Sequence, residues 1–236
     1  MRKPDKDSWV LRLATGIALL ALVSAPAACG GTPEEGAGAD PAAASEADDD
    51  PDRAVAGGGV LPDGWNVRID EDRPNQGIFE QRGDVYHFEM GAAGTFYRTD
   101  WTKSGDFGFS ARLTQLAAPS HPISYGLMFG GSDLDGPNQT YTYFLVRNRG
   151  QYFIANREGA EVEVVTNWTA HDAISAEDPA GRQANVLGVQ VQGDQAVFTV
   201  NGTEVTRLAK SAIHTDGVTG FRIGHNIDVD VDQVSR

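Results

Sequence analysis

Apolar and polar residues alternate in step along much of this chain. From Asp106 to Leu116, Phe107, Phe109, Ala111 and Leu113 fall on one side, and Gly108, Ser110, Arg112 and Thr114 on the other. Successive side chains of a strand point to opposite faces, so this pattern predicts a strand buried on one face. Tyr141–Arg147 and Gln151–Arg157 are aromatic and aliphatic runs joined by Asn148-Arg149-Gly150, and Asn185–Gln192 and Gln195–Val200 are joined by Gly193-Asp194. Asn201-Gly202 leads on to Thr203–Leu208. Such turns favour hairpins because a positive φ at the turn matches the twist of the paired strands.

Further segments fit the same scheme. Gly77–Gln81 and Val85–Met90 flank Arg82-Gly83-Asp84, Gly94–Thr99 follows, and Gly220–Gly224 and Ile227–Val234 close the chain. Ile123–Phe129 is apolar throughout and stops at Gly130-Gly131, which predicts burial on both faces. No segment has a helical period, although His171–Asp178 could form one turn. About a dozen strands separated by Gly- and Asn-rich turns predict an all-β fold: two antiparallel sheets packed as a β-sandwich or jelly roll.

The first residues break the pattern. Arg2, Lys3 and Lys6 precede an uncharged apolar run, Leu13–Val23, followed by Ser24-Ala25-Pro26-Ala27-Ala28. The run is about half the roughly 20 residues that a membrane-spanning helix needs. A basic start, a short apolar stretch and small residues make a signal peptide, here assigned to residues 1–28. Cys29 is the single cysteine, so no disulfide can form within the chain. Ala27-Ala28-Cys29-Gly30 resembles a bacterial lipobox, with Pro26 where that pattern usually has leucine. The resemblance implies an extracytoplasmic lipoprotein held at the bacterial membrane through a lipid on Cys29; cleavage after Ala27 would instead release a secreted protein.

Residues 29–59 carry eight acidic side chains between Glu34 and Asp52, against Arg53, and no aromatic residue. Such a segment cannot bury enough apolar surface to offset ordering, which predicts a disordered acidic tether. Residues 60–236 form the predicted sandwich domain. The chain's net charge of −14 argues against nucleic acid as a partner, since nucleic acid is bound by basic stripes.

Within the folded part, Tyr125-Gly126-Leu127-Met128-Phe129-Gly130-Gly131 precedes a polar loop and Tyr141-Thr142-Tyr143-Phe144-Leu145-Val146. Gly150-Gln151-Tyr152, Trp168, Ala173-Ile174, Asn185-Val186-Leu187-Gly188-Val189, Phe198-Thr199-Val200-Asn201-Gly202 and Thr219-Gly220-Phe221 follow. This series resembles the concanavalin A-like lectin/glucanase superfamily, and within it the laminin-G-like bacterial domains similar to the 3-keto-disaccharide hydrolase family. The resemblance implies a concanavalin A-like jelly roll. Because fold does not fix function, it implies activity only as an expectation.

The chemistry-bearing residues form few patterns. The E-x-D-x-x-E motif of the related glucanases is absent, and Asp228-Val229-Asp230-Val231-Asp232 is its nearest imitation. Those carboxylates would share a strand face about 7 Å apart, yet alternating Val and Asp is also how a solvated strand reads. Glu161-Val162-Glu163 is a weaker case of the same kind. The histidines, His87, His121, His171, His214 and His225, make no H-x-H or HExxH pair. No catalytic residue and no cofactor is expected. Asp133, Asp135 and Asn138 offer hard oxygens on a tight loop, which is what a Ca²⁺ site uses.

In this superfamily sugars bind a sheet face through aromatic platforms and polar forks. The resemblance makes Tyr97, Trp101, Tyr141, Tyr143 and Trp168, with Arg147, the candidate ligand-binding residues, Arg157 and Asn156 lying near them in sequence. The expected function is a tethered binding or accessory module for a glycan or envelope component. The alternatives are a hydrolase of oxidised sugars and a protein–protein adaptor that binds an envelope protein.

Overall fold

The computed structural model describes residues 52–55, 61–70 and 77–236. Met1–Asp50, with the signal sequence and Cys29, and most of the acidic segment lie outside the described residues.

The strands, in chain order, are β1 (Trp65–Ile69), β2 (Gly77–Arg82), β3 (Val85–Met90), β4 (Gly94–Lys103), β5 (Phe107–Gln115), β6 (Ser124–Ser132) and β7 (Thr140–Arg147). They continue with β8 (Gln151–Glu158), β9 (Glu161–Ala170), β10 (Gln183–Gln192), β11 (Gln195–Val200), β12 (Thr203–Ala209), β13 (Gly217–Ile223) and β14 (Ile227–Ser235). One seven-stranded sheet, sheet A, has the order β1-β4-β13-β6-β7-β8-β9, and a second, sheet B, the order β12-β11-β10-β5-β14-β3-β2. The strand pairs are antiparallel throughout. This is the two-sheet sandwich expected from the alternation.

β5 follows its pattern residue by residue: Phe107, Phe109, Ala111 and Leu113 are buried and the residues between them half-buried. β6 is buried on both faces as far as Gly131. Its inward residues Leu127 and Phe129 join Phe144, Val146 and Ile154 of sheet A and Phe88, Leu187 and Phe198 of sheet B in one core. Phe221 of β13 is fully buried between Phe96 and Leu127 on the neighbouring strands. Its ring lies 5.8 Å from Trp65, 6.1 Å from Phe109, and 6.2 Å from both Phe88 and Trp101.

Three details correct or narrow the sequence reading. Gly130-Gly131 does not end β6, which runs on through a register shift to Ser132. A carbonyl explains the glycine: a Cβ on Gly130 would lie 2.3 Å from the backbone oxygen of His214, and φ there is 66°. The single turn expected within His171–Asp178 is confined to His171–Ile174, closed by Ile174 N–H donating to His171 O at 3.1 Å. Asp52–Val55, assigned to the tether, packs on the sandwich. Arg53 N–H donates to Asn226 Oδ1 at 2.7 Å, Arg53 Nε to Met90 O at 2.9 Å, its guanidinium pairs with Asp228, and Val55 is buried.

Candidate functional site

Sheet A carries a second apolar cluster on the face turned away from sheet B. Along β7, Phe144 and Val146 enter the inter-sheet core, while Tyr141, Tyr143 and Leu145 join Tyr97, Met128, Leu134, Phe153 and Ala155 in this second cluster, with Trp168 packed against it. The fold therefore gathers Tyr97, Tyr141, Tyr143 and Trp168 on one face. Tyr141 and Tyr143 have ring centroids 5.8 Å apart, Tyr143 and Phe153 6.1 Å, and Phe153 and Trp168 4.9 Å. Arg147 lies 4.0 Å over the Trp168 ring, and its Nε and Nη2 donate to Gln151 Oε1 at 2.9 and 2.7 Å.

These side chains are not the open platforms that the sequence suggested. Tyr97 and Tyr141 are each 3 % exposed and Tyr143 is fully buried, because ring packs on ring across β7 and β8. Trp168 is half-buried, with the Arg147 guanidinium against its ring. Trp101 belongs to the inter-sheet core, where it touches Trp65 and Phe221 and carries the Arg236 guanidinium 4.6 Å from its ring centre.

The loop expected to bind calcium is braced by an arginine. Arg68 Nη1 donates to the carbonyls of Leu134, at 2.9 Å, and Gly136, at 2.7 Å, while the Tyr97 hydroxyl donates to Asp135. The guanidinium thus takes two backbone carbonyls of the loop, while Asp133 and Asn138 are exposed. Among the described residues, no group of three or more His, Cys, Asp and Glu side chains is placed to hold a metal ion.

The acids of the Asp228–Asp232 run are each partnered. Arg53 pairs with Asp228, His87 Nδ1 lies 2.8 Å from Asp230, and Arg112 Nε donates to Asp232 at 2.7 Å. Each carboxylate thus has its own guanidinium or imidazole partner along the strand. Glu163 accepts from Asn156 Nδ2 at 3.1 Å.

Burial, and then the hydrogen bond to Asp135, hold the Tyr97 phenol well above its usual range; burial first, and the charge of Glu177 after it, push Tyr125 the same way. The sign follows. Below a pH of about 10, folded and unfolded tyrosines both keep their protons. Above it the unfolded chain releases them and the folded chain does not, so the unfolded state gains. The urea midpoint is expected to fall as pH rises past about 10, and to fall less steeply in Tyr97→Phe. An equal slope in that variant would refute this account of Tyr97.

A solvent-open concavity lies at one end of the sandwich, where the β12–β13 connection crosses from sheet B to sheet A. It has a volume of about 580 Å³ and is lined by Thr140, Asp194, Lys210, Ser211, His214 and Asp216, among others, with no aromatic side chain. Lys210 N–H donates to Asp194 O at 2.8 Å, Lys210 Nζ is 3.5 Å from Asp216, and Gly105 N–H donates to Asp216 at 3.3 Å. His214 N–H donates to Thr142 Oγ1 and His214 Nε2 faces Glu158, both at 2.8 Å. The basin thus places one ammonium, two carboxylates, one imidazole–carboxylate pair and several hydroxyls around shared solvent. None of these residues stood out in the sequence. Their one signal was a polar, aperiodic stretch, Lys210–Asp216, between two clear strands.

No protein-family model matches the chain, and no curated protein sequence matches it. Solved structures do. The carbohydrate-binding module CBM66 from Bacillus subtilis superposes with a TM-score of 0.53 at 13 % identity, over 72 % of this chain and 93 % of that one. A GH16 protein of the Bacteroides ovatus mixed-linkage glucan locus, in complex with a G4G4G3G product, superposes with a TM-score of 0.50 at 10 % identity, over 72 % and 94 %. The fold is concanavalin A-like. At these identities the concanavalin A-like likeness concerns the sandwich and not its chemistry.

Proposed function

We propose that this chain is an exported glycan-binding module whose binding site is the basin between Asp194, Lys210 and Asp216. One observation carries the reading: the basin is a concavity of about 580 Å³ rimmed by charged and hydroxyl groups. That volume falls within the range of small-ligand sites, roughly 300–1,000 Å³, and charged and hydroxyl groups stand within a lining that is otherwise mostly apolar. A hydroxyl-rich ligand supplies the donors and acceptors this rim can satisfy; an apolar one would leave them unpaired. The fold neighbours add support, since one is a carbohydrate-binding module and another holds a glucan product. The basic start, the short apolar run and the lipobox-like setting of Cys29 support a module held outside the cytoplasm on a lipid anchor.

The test is a glycan array followed by calorimetry with the strongest binder. Lys210→Gln and Asp216→Asn are each expected to weaken binding about 10- to 100-fold, the worth of a hydrogen bond to a charged group, with unchanged melting temperatures. The proposal is overturned by an array without signal, or by variants that bind as wild type does. A second reading, hydrolysis of an oxidised disaccharide, has in its favour His214, which lines the basin, and Glu158, which its imidazole faces. Release of monosaccharide in the same samples would establish it.

A further inference from the structure

The opposite end of the sandwich holds a different arrangement. His121 lies in the β5–β6 loop and His225 in the β13–β14 turn, 104 residues apart in sequence. Their Nε2 atoms face each other at 3.4 Å, with ring centroids 5.4 Å apart and planes at 57°. For a direct hydrogen bond that distance is long, since N–H donors sit roughly 2.7–3.2 Å from their acceptors. It is, however, the edge of a coordination tetrahedron. Two zinc–imidazole bonds of about 2.0–2.1 Å at a tetrahedral angle separate the nitrogens by about 3.3–3.4 Å.

The far nitrogens complete the pattern. His225 Nδ1 lies 3.1 Å from the Asp52 carboxylate, and His121 Nδ1 lies 3.2 Å from Ser120 Oγ. The Asp52 carboxylate can only accept, so it fixes the proton on His225 Nδ1 and leaves the Nε2 lone pair toward His121, as in metal-binding histidines, while the Ser120 hydroxyl can donate to or accept from His121 Nδ1. The surroundings are stiff. His225 is 9 % exposed, and its turn is pinned by Gly224 N–H to Ser124 O at 2.9 Å and Asn226 N–H to Gly91 O at 3.0 Å. Arg53 anchors the segment that carries Asp52, by bonding Asn226 and Met90, and directs its own charge to Asp228.

We infer that His121 and His225 form a binding site for a divalent transition metal of the zinc, nickel or copper group. Imidazole pairs select these ions over calcium and magnesium, which take oxygen ligands. Two protein ligands leave coordination positions for water or for an oxygen of a bound molecule. Asp52 is a positioning residue that acts through His225. The site stands apart from the basin, on the order of 25 Å away along β6 and β13 at the strand rise per residue.

Calorimetric titration of the full chain with Zn²⁺, with Ca²⁺ as control, tests this. Wild type is expected to take up one Zn²⁺ equivalent in a saturable step that Ca²⁺ does not reproduce, and to gain melting temperature with Zn²⁺. His121→Ala and His225→Ala should each lower the affinity at least 10-fold and lose the thermal shift. Asp52→Asn should weaken binding about 10-fold, the usual worth of an outer-shell carboxylate. Absence of the saturable step, the same step with Ca²⁺, or zinc affinity unchanged in either histidine variant would overturn the assignment.

Discussion

Phe221→Ala is expected to destabilise the domain by about 3–5 kcal/mol, measured as the loss of unfolding free energy in urea. Phe221 sits in β13, in the interior of sheet A, and meets aromatic rings from both sheets: Trp65 and Trp101 on one side, Phe88 and Phe109 on the other. Truncation removes the transfer energy of the ring and leaves a void that these large, mutually packed rings cannot collapse to fill. Domains of this size hold only about 5–15 kcal/mol in total, so the variant should be close to the edge of folding. Phe221→Leu keeps most of the volume and should cost well under half as much. A loss below about 1 kcal/mol for the alanine variant would mean that the two sheets do not meet through this ring.

The second large effect is expected at Gly130. Alanine there combines two penalties. A non-glycine residue at positive φ costs roughly 1–2 kcal/mol, and φ is 66°. The added methyl carbon would also lie 2.3 Å from the His214 carbonyl oxygen and 2.5 Å from its carbonyl carbon. Those are backbone atoms of the connection that forms the basin wall, and they cannot rotate aside. Forcing them apart adds about 1–3 kcal/mol, for a total of about 2–5 kcal/mol by urea titration. Because the displaced segment carries Lys210, His214 and Asp216, any saccharide binding at the proposed site should weaken along with stability. Gly150→Ala makes the control: that turn also has positive φ, at 66°, but a Cβ there meets nothing within 4 Å. If both alanines cost the same, the close approach at Gly130 is not what the glycine serves.

How far the molecule can be read from its residues depends on which face each strand shows to water. β5 was legible because one face is core and the other solvent-side, so polarity follows burial with a period of two. β9 was not, because Glu161–Ala170 is an edge strand with neither face sealed, and polar residues stand on both. β1 was missed for a different reason: Trp65-Asn66-Val67-Arg68-Ile69 is too short to establish a period, and its identity as a strand comes from pairing with β4. The aromatics of β7 could be put on a common face by spacing alone. Their burial could not, because it depends on Phe153 and Trp168 from two other strands. Asp133, Asp135 and Asn138 read as cation ligands, since nothing near them in sequence discloses Arg68, which reaches the loop from β1. His121 and His225 meet through two connections at the end of the sandwich, a contact with no sequence period at all.

The way Asp52 and Arg53 are fastened sets the direction in which this molecule can be pulled. Tension arriving from upstream of Asp52 meets the ion pair with Asp228 and the bonds to Asn226 and Met90 before it reaches any strand. All three partners lie at the end where β3 and β13 finish and β14 begins, while the basin opens at the end where β6 finishes and β13 begins. A load on the leader is therefore applied at the pole opposite the mouth, along the length of β6 and β13. On the tether proposed above, the mouth would face away from the anchored side, and a molecule pulled from the basin would strain the strands in shear, the direction in which their ladder hydrogen bonds share the force.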